Sequence, residues 1–307
     1  MRRLLASLVL LTLTQRAASA QALAPAVPDP RAPLLVSADW LSHHVHDPNL
    51  VLLHVGAEAE YPAAHIAGAR FVSVADVSVS DTARKLSVEM PGADTLRARL
   101  AALGVSDHSR VVVYFAKDMV YQTTRVLFTL FFAGLGDRVA LLDGGMGAWT
   151  AAGQPIAADV PAAAAGSLAP LGVRNFVVNA AYVHAMNGKA GVAIVDARDS
   201  VFYNGTRQGG SPQAPQRAGH VPGARSVPWT ALYDAKLQLK PREELARIFA
   251  AAGVKTDDVV IGYCHTGQQA TAMLLAARAL GHPVLLYDGS FQDWSARTDL
   301  PVETNIP

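Results

Sequence analysis

The sequence predicts an α/β fold in which two similar domains each contain a mostly parallel sheet flanked by helices. Two observations predict it. Apolar runs of strand length alternate with helical patterns along the chain. The same order of motifs also occurs twice, at a spacing of about 145 residues, which is too long for a solenoid repeat. The 307 residues are enough for two domains of ordinary size.

Residues 1–20 have the pattern of a secretory signal peptide. Arg2 and Arg3 precede an apolar run over residues 4–13, and Ala18-Ser19-Ala20 provides small residues for cleavage near Ala20. This run is well short of the ~20 apolar residues that a membrane-spanning helix needs, and no later run is long enough either. We therefore expect a mature protein without a membrane anchor that is periplasmic or secreted.

The charge of the mature chain gives no indication of a nucleic-acid partner. Removal of residues 1–20 leaves 23 of the 26 basic side chains against 25 acidic ones, a net charge of −2. The basic residues form no patch that would attract a polyanion.

The repeated motifs divide the mature chain into a domain over 33–150, a linker over 151–172 and a second domain over 173–304. The linker contains three prolines and a run of alanines, which favours an extended connection. The matched features, in order, are the helix caps Ser37 and Asn179, the strands 51–53 and 193–195, the turns 65–69 and 220–224, the strands 111–115 and 259–263, the helix-ending Gly134 and Gly281, the turns Asp143-Gly144 and Asp288-Gly289, and Trp149 and Trp294.

The only cysteine of the chain, Cys264, is the candidate nucleophile. It follows the apolar strand 259–263 and precedes a helical run over 270–280, so we expect it at a strand-to-helix turn. Backbone N–H groups at such a turn, together with the helix dipole, favour an anion. We therefore expect a thiol pKa below the ordinary value of ~8.5. Gly267 allows the loop a positive φ, and His265 is either a cation, a hydrogen-bond donor or a histidine without a role.

Several motifs taken together carry a family resemblance. They are Asp196-Ala197-Arg198, His220-Val221-Pro222-Gly223-Ala224, the loop from Cys264 to Gln269, and Asp288-Gly289 with Trp294. In their order and spacing the sequence resembles the tandem-domain rhodaneses, which are thiosulfate and 3-mercaptopyruvate sulfurtransferases, over nearly the whole mature chain.

The resemblance implies that the second domain is catalytic and that the first is a degenerate copy covering one side of the active cleft. Aligning the strands places Ala116 opposite Cys264. It further implies that Cys264 takes sulfur from a small-molecule donor as a persulfide and passes it to a thiophilic acceptor, cyanide or a thiol. His265, Thr266, Gly267, Gln268 and Gln269 would then bind the substrate. No metal or organic cofactor is implied, and no protein acceptor is indicated.

The resemblance leaves the donor and its binding site open. The loop His265-Thr266-Gly267-Gln268-Gln269 looks closer to bacterial thiosulfate sulfurtransferases than to mercaptopyruvate enzymes, which favours thiosulfate. In the relatives an arginine binds the donor anion. The corresponding residues here, 201–204, include no arginine. Arg207, Arg217 and Arg225 are the possible substitutes. We interpret Asp196 and Arg198 as a structural pair.

Other functions are less well supported by the sequence. A phosphatase class of related fold needs an arginine six positions after its cysteine, where this chain has Ala270. A persulfide carrier or thiol sensor that docks to a partner stays open. His43, His44 and His46 could suggest a metal, although a solvated helix end is the simpler interpretation. Residues 205–218, absent from the first half, are predicted to be a surface loop, with a role at the site entrance as the alternative.

Overall fold

The computed structural model describes residues 29–158, 160 and 164–305. The predicted signal peptide lies outside the described residues. Within them, no helix combines the length and the apolar character needed to span a membrane.

The first domain is built on a five-stranded parallel sheet in the strand order β1-β7-β6-β2-β3. The two remaining strands, β4 and β5, form an antiparallel hairpin beside it. The strands are β1 (Leu35–Val36), β2 (Leu50–Val55), β3 (Arg70–Phe71), β4 (Val79–Asp81), β5 (Leu86–Glu89), β6 (Arg110–Phe115) and β7 (Val139–Leu142), and the helices are α1 (Ala38–His44), α2 (Ala93–Ala102), α3 (Val120–Leu130) and α4 (Gly145–Ala151).

The second domain repeats this architecture with a parallel sheet in the order β12-β9-β13-β14-β8. A short antiparallel hairpin, β10 with β11, lies in the segment 205–218. The strands are β8 (Val177–Val178), β9 (Val192–Asp196), β10 (Gly210–Ser211), β11 (Ala214–Pro215), β12 (Arg225–Ser226), β13 (Val259–Tyr263) and β14 (Val284–Tyr287), and the helices are α5 (Ala180–Met186), α6 (Ser200–Tyr203), α7 (Arg242–Ala251), α8 (Gln268–Leu280) and α9 (Ser290–Ala296).

The two sheets have the same strand order when read from opposite ends, so the predicted α/β fold with two related domains is confirmed. The central strands are buried along nearly their whole length because helices cover both faces of each sheet. The described elements of the two domains run from Leu35 to Ala151 and from Val177 to Ala296. The predicted domain boundaries stay predictions.

Two tyrosines show in detail how the domains correspond. Tyr114 and Tyr263 are buried on the central strands β6 and β13. The Tyr114 hydroxyl accepts the N–H of Ile66 at 2.9 Å, and the Tyr263 hydroxyl accepts the N–H of Val221 at 3.1 Å. Each tyrosine therefore holds the residue that follows the histidine of its own His-Gly turn.

This correspondence corrects the sequence alignment by one position. Because Tyr114 matches Tyr263, the residue equivalent to Cys264 is Phe115, and the prediction of Ala116 is wrong. Phe115 still belongs to the six-residue strand β6, whereas β13 has five residues and ends before the cysteine. The strand pairing agrees, since β2 and β9 place His54 and Asp196 opposite the two tyrosines. The first domain has no nucleophile at this position.

The domains pack against each other through α3 and α8. Both helices are almost entirely buried, and the Thr124 and Thr271 hydroxyls are hydrogen-bonded between them at 2.9 Å. One continuous apolar core includes residues of both sheets and both helices. This packing sets the first domain directly against the turn that begins α8.

Candidate active site

Cys264 lies where β13 ends and the loop to α8 begins, as the sequence predicts. The backbone N–H groups of Ala270, Thr266 and Gly267 are close enough to the thiol sulfur to favour its thiolate form. The residue is only 1% exposed, so these N–H groups act on a sulfur that is shielded from solvent. The loop therefore directs several N–H groups at one sulfur atom, an arrangement that stabilises negative charge.

Gly267 is required by the shape of this loop. Its φ is +83°, in the left-handed region that favours glycine. A Cβ at this position would lie 2.9 Å from the carbonyl oxygen of Asp288 and 3.0 Å from Nη1 of Arg125. A larger residue would push the loop away from both groups and disturb the N–H pocket.

Burial changes the expected acidity of the nucleophile. Desolvation raises the pKa of the Cys264 thiol above its ordinary value, and the hydrogen bonds from Ala270, Thr266 and Gly267 act in the opposite direction. The prediction of a lowered pKa is therefore wrong for the closed site, because the loss of solvent outweighs the N–H groups. At neutral pH the resting residue is mostly a thiol.

Ser290, which begins α9 shortly after β14, holds the backbone of the cysteine. Its hydroxyl oxygen accepts the Cys264 N–H at 3.2 Å and donates to the carbonyl oxygen of Tyr287 at 2.9 Å. Ser290 has a φ of +51°, unusual for a residue with a side chain. The first domain has Gly145 at the corresponding position, with a φ of +53°. The second domain thus tolerates backbone strain at the position where a side chain holds the nucleophile.

Asp196 and Arg198 form a buried ion pair behind the loop, which agrees with their interpretation as a structural pair. Arg198 Nε and Nη2 bind the Asp196 carboxylate, with the shortest contact at 2.6 Å. Nη2 also donates to the carbonyl oxygen of Gly219 at 2.7 Å, and the guanidinium lies 4.0 Å from the Phe291 ring. Nε and Nη2 are thus both engaged within the protein.

His265 occupies the loop position next to the nucleophile. Its Nδ1 lies 2.9 Å from Oε1 of Gln216, and its ring meets the Phe202 ring edge-on at 4.6 Å. Burial, with a smaller contribution from the positive charge of Arg198, lowers the pKa of His265 to about 4. The imidazole is therefore neutral at physiological pH, which excludes the cationic role considered from the sequence.

A cleft of about 690 Å³ opens beside His265 and Thr266. The first domain contributes Arg84 and Lys85, from the turn between β4 and β5, and the second contributes Arg207. No aspartate or glutamate lies among the residues that line this cleft. Arg84 pairs with Asp293 and Asp81, which lie outside the lining, whereas Lys85 and Arg207 form no salt bridge among the described residues. The positive charge at the cleft favours an anion.

The three arginines considered as donor-binding residues lie in different parts of the structure. Arg207 lines the cleft, with its guanidinium 5.2 Å from the Phe202 ring. Arg217 donates to four carbonyl oxygens between Trp294 and Leu300, so its charge holds the chain that follows α9. Arg225 begins the edge strand β12, and its side chain lies beside Gly253 in a pocket separate from the cleft. Only Arg207 of the three is placed to meet a ligand at the cleft.

The predicted substrate-binding residues are distributed differently along the loop. His265 and Thr266 line the cleft, and the N–H groups of Thr266 and Gly267 bind the sulfur. Gln268 begins α8, where its carbonyl accepts the Thr271 hydroxyl, and Gln269 holds a buried Oε1 without a hydrogen-bond partner among the described residues. Neither glutamine borders the cleft. Their role in substrate binding stays a prediction.

The sequence missed two residues that complete this site. Gln216 is 4% exposed and contacts His265, so the segment 205–218 reaches the catalytic loop and is more than a surface loop. Arg125, from α3 of the first domain, is fully buried and binds the Asp288 carboxylate at 2.6 Å. A single charged residue in an otherwise uncharged helix was the one available signal for Arg125.

The histidines near the N-terminus have local partners. Nδ1 of His43 and of His44 are hydrogen-bonded to the carbonyl oxygens of Asp39 and Trp40 in the same helix, and His44 stacks on Trp40. In the described ranges, no three His, Cys, Asp or Glu side chains are gathered as a metal site would require.

A model of the rhodanese-like domain matches residues 37–152 and matches again at residues 179–297. The chain belongs to the rhodanese family. The resemblance seen in the sequence motifs is thereby confirmed, and both copies of the rhodanese domain coincide with the two parallel sheets.

Relatives of this rhodanese align with it over most of its length. The 3-mercaptopyruvate sulfurtransferase of Escherichia coli strain K12 is 31% identical over 279 residues, covering 87% of this chain and 97% of the relative. The thiosulfate sulfurtransferase of Pseudomonas aeruginosa is 31% identical over 273 residues, covering 88% and 97%. The crystal structure of SseA from Escherichia coli, a 3-mercaptopyruvate sulfotransferase, superposes with a TM-score of 0.72 at 29% identity, covering 83% and 98%.

Proposed function

We propose that this rhodanese is a sulfurtransferase that moves sulfane sulfur from thiosulfate to a thiophilic acceptor through a persulfide on Cys264. One observation carries the proposal. The only thiol of the chain lies on a floor of three backbone N–H groups, next to a cleft lined by three cations and no carboxylate. This arrangement suits a reaction whose donor and intermediate are both anions.

In the first half-reaction, the Cys264 thiolate attacks the outer sulfur of thiosulfate. A new sulfur–sulfur bond forms, the bond within thiosulfate breaks, and sulfite leaves with the bonding electron pair. The persulfide remains on the enzyme, with its terminal sulfur stabilised by loop N–H groups in the manner of an oxyanion hole.

In the second half-reaction, the acceptor attacks the terminal sulfur of the persulfide. The bond to the Cys264 sulfur breaks, and the electron pair returns to the cysteine as a thiolate. Cyanide leaves as thiocyanate and a thiol leaves as its own persulfide. Because each half-reaction ends before the other begins, the kinetics follow a ping-pong scheme.

Arg207 is the proposed anchor for the anionic end of the donor, together with Arg84 and Lys85 on the opposite wall. Arg84 already pairs with Asp293 at 3.0 Å, whereas no salt bridge is found for Lys85 or Arg207 within the described part of the chain. The two unpaired cations are therefore free to bind the donor. They belong to different domains, so each domain would contribute one cation to the donor site.

3-Mercaptopyruvate is the second candidate donor, since two of the relatives carry that activity in their names. Its carboxylate would suit the same cations. Steady-state sulfur transfer to cyanide, with thiosulfate and 3-mercaptopyruvate compared, distinguishes the two. Turnover with thiosulfate that is lost in Cys264→Ala supports the proposal. A preference for 3-mercaptopyruvate would mean that 3-mercaptopyruvate, and not thiosulfate, is the donor.

A persulfide carrier or thiol sensor is the alternative to an enzyme with turnover. Such a protein would release one sulfur per chain in a single burst with either donor. Rapid multiple turnover with thiosulfate and cyanide contradicts it, and a stoichiometric burst alone contradicts the enzyme proposal.

We also propose that the protein is exported and cleaved near Ala20, on the basis of the leader pattern in residues 1–20. Expression of the full chain in a bacterial host, followed by cell fractionation and N-terminal sequencing, tests it. A periplasmic protein that starts near residue 21 supports export, and a cytoplasmic protein that keeps its leader contradicts it.

A further inference from the structure

Gln216 holds His265 by two hydrogen bonds. Its side chain is 4% exposed, and its own backbone N–H donates to the carbonyl oxygen of Gly209 at 2.9 Å. Nε2 of Gln216 donates to the backbone carbonyl oxygen of His265 at 3.2 Å, and Oε1 lies 2.9 Å from His265 Nδ1. One amide thus engages both the backbone and the ring of the residue next to the nucleophile.

These two bonds determine which ring nitrogen carries the proton. The carbonyl oxygen of His265 can only accept, so the NH₂ group of Gln216 must face it and the amide oxygen must face the ring. An amide oxygen also only accepts, so His265 Nδ1 must carry hydrogen. Since the ring is neutral, Nε2 then has a free lone pair.

The surroundings of the ring leave this lone pair available to a ligand. A Cβ on Gly209 would lie 2.7 Å from Cε1 and 2.8 Å from Nδ1 of His265, so that side of the ring is closed by backbone. Phe202 closes a second side. Among the described residues Nε2 has no hydrogen-bond partner, and His265 lines the cleft.

The charged groups around His265 differ on its two sides. Arg198 and Asp196 act on it from within the second domain. Arg84, Lys85 and Arg207 line the cleft that it borders, with no carboxylate among the lining residues. No anion faces the ring from the cleft, so the neutral imidazole is the hydrogen-bond acceptor that the cleft offers next to the nucleophile.

We propose that Gln216 is a positioning residue that holds His265 as the Nδ1–H imidazole, so that Nε2 accepts the S–H hydrogen of the sulfur acceptor and favours thiols over cyanide. The inference rests on the proposed function. The thiol sulfur bonds to the outer sulfur of the persulfide, the bond to Cys264 breaks, and Cys264 leaves as a thiolate. The thiol hydrogen, hydrogen-bonded to Nε2 during the attack, ends on the outer sulfur of the product persulfide. Cyanide has no hydrogen to donate, so its reaction gains nothing from this nitrogen.

Two measurements test the positioning role. Nitrogen-15 NMR of histidine-labelled protein, with the ring assigned through His265→Gln, reports the tautomer without any turnover. Single-turnover discharge of the loaded persulfide to 2-mercaptoethanol and to cyanide gives the ratio of the two rates. The variants are Gln216→Glu, which makes the ring cationic, and Gln216→Met, which keeps the volume and removes both hydrogen bonds. Asn175→Asp adds a negative charge at an exposed position that does not line the cleft and serves as the control.

We expect the wild type to show the Nδ1–H tautomer, and Gln216→Glu to lower the ratio of thiol to cyanide rates by about tenfold or more. Gln216→Met should lower it as well, and Asn175→Asp should leave it unchanged. An Nε2–H tautomer in the wild type overturns the inference, as does an unchanged ratio in a folded Gln216 variant. Failure of the wild type to load sulfur from either donor instead contradicts the proposed function and leaves the tautomer result standing.

Discussion

Arg125 of the first domain and Asp288 of the second are joined by a 2.6 Å ion pair that is almost completely shielded from solvent. Arg125 Nη2 also donates to the carbonyl oxygen of Val88, and Nη1 lies beside Gly267 of the catalytic loop. Asp288 receives the N–H of Met90 at 2.6 Å as well. The first domain therefore contacts the loop that follows Cys264 through Arg125, in addition to lining the cleft through Arg84 and Lys85.

Arg125→Ala should destabilise the protein strongly, by about 3–5 kcal/mol, because it leaves the Asp288 carboxylate buried without its cation. The free energy of unfolding from urea titration measures this effect. Lys240→Ala, which removes an exposed pair with Glu244, is the control and should cost less than about 1 kcal/mol. A similar loss of unfolding free energy in both variants would show that the interdomain ion pair contributes no more to stability than the pair of Lys240 with Glu244.

Ser290→Ala and Ser290→Gly should both lower kcat/KM for thiosulfate, because each leaves the Cys264 N–H and the Tyr287 carbonyl without their hydroxyl partner. The lost hydrogen bonds correspond to about 1–3 kcal/mol of stability. The glycine variant should be the more stable of the two, since it relieves the positive φ of Ser290. Full activity in both variants would contradict a supporting role for the hydroxyl.

The rate of persulfide formation should rise with pH through the raised pKa of the Cys264 thiol. Below that pKa the thiolate fraction increases about tenfold with each pH unit, and only the thiolate attacks the donor. Stopped-flow measurement of sulfite release, or the rate of alkylation of the free enzyme, follows this dependence. A rate that is already constant below pH 7 would mean that the thiol is acidic and that the N–H groups outweigh its burial.

Arg207→Gln should raise KM for thiosulfate by about tenfold or more and change kcat less, because an ionic hydrogen bond contributes about 1.5–3 kcal/mol to binding. Arg225→Gln is the matched control, because Arg225 does not line the cleft, and should leave both constants unchanged. Equal effects of the two substitutions would point to the overall charge of the protein and not to a contact at the cleft.

Local patterns in the sequence were sufficient to predict the duplicated α/β fold and the place of the nucleophile. Strands that are buried on both faces appear in the sequence as continuous apolar runs. A cysteine between such a run and a helical pattern is therefore expected in the turn that joins the strand to the helix. The loop glycine belongs with these features, since its positive φ is a property of a few neighbouring residues.

The tertiary structure decided the features that depend on groups far apart in the chain. Gln216 and His265 are 49 residues apart, and Arg125 and Asp288 are 163 apart, so no local pattern pairs them. The same holds for the choice of Arg207, which rests on where the cleft opens. The sequence alone was sufficient to propose Cys264 as the nucleophile. The pKa of that thiol was decided by burial, because desolvation depends on the whole fold and not on the turn in which the cysteine lies.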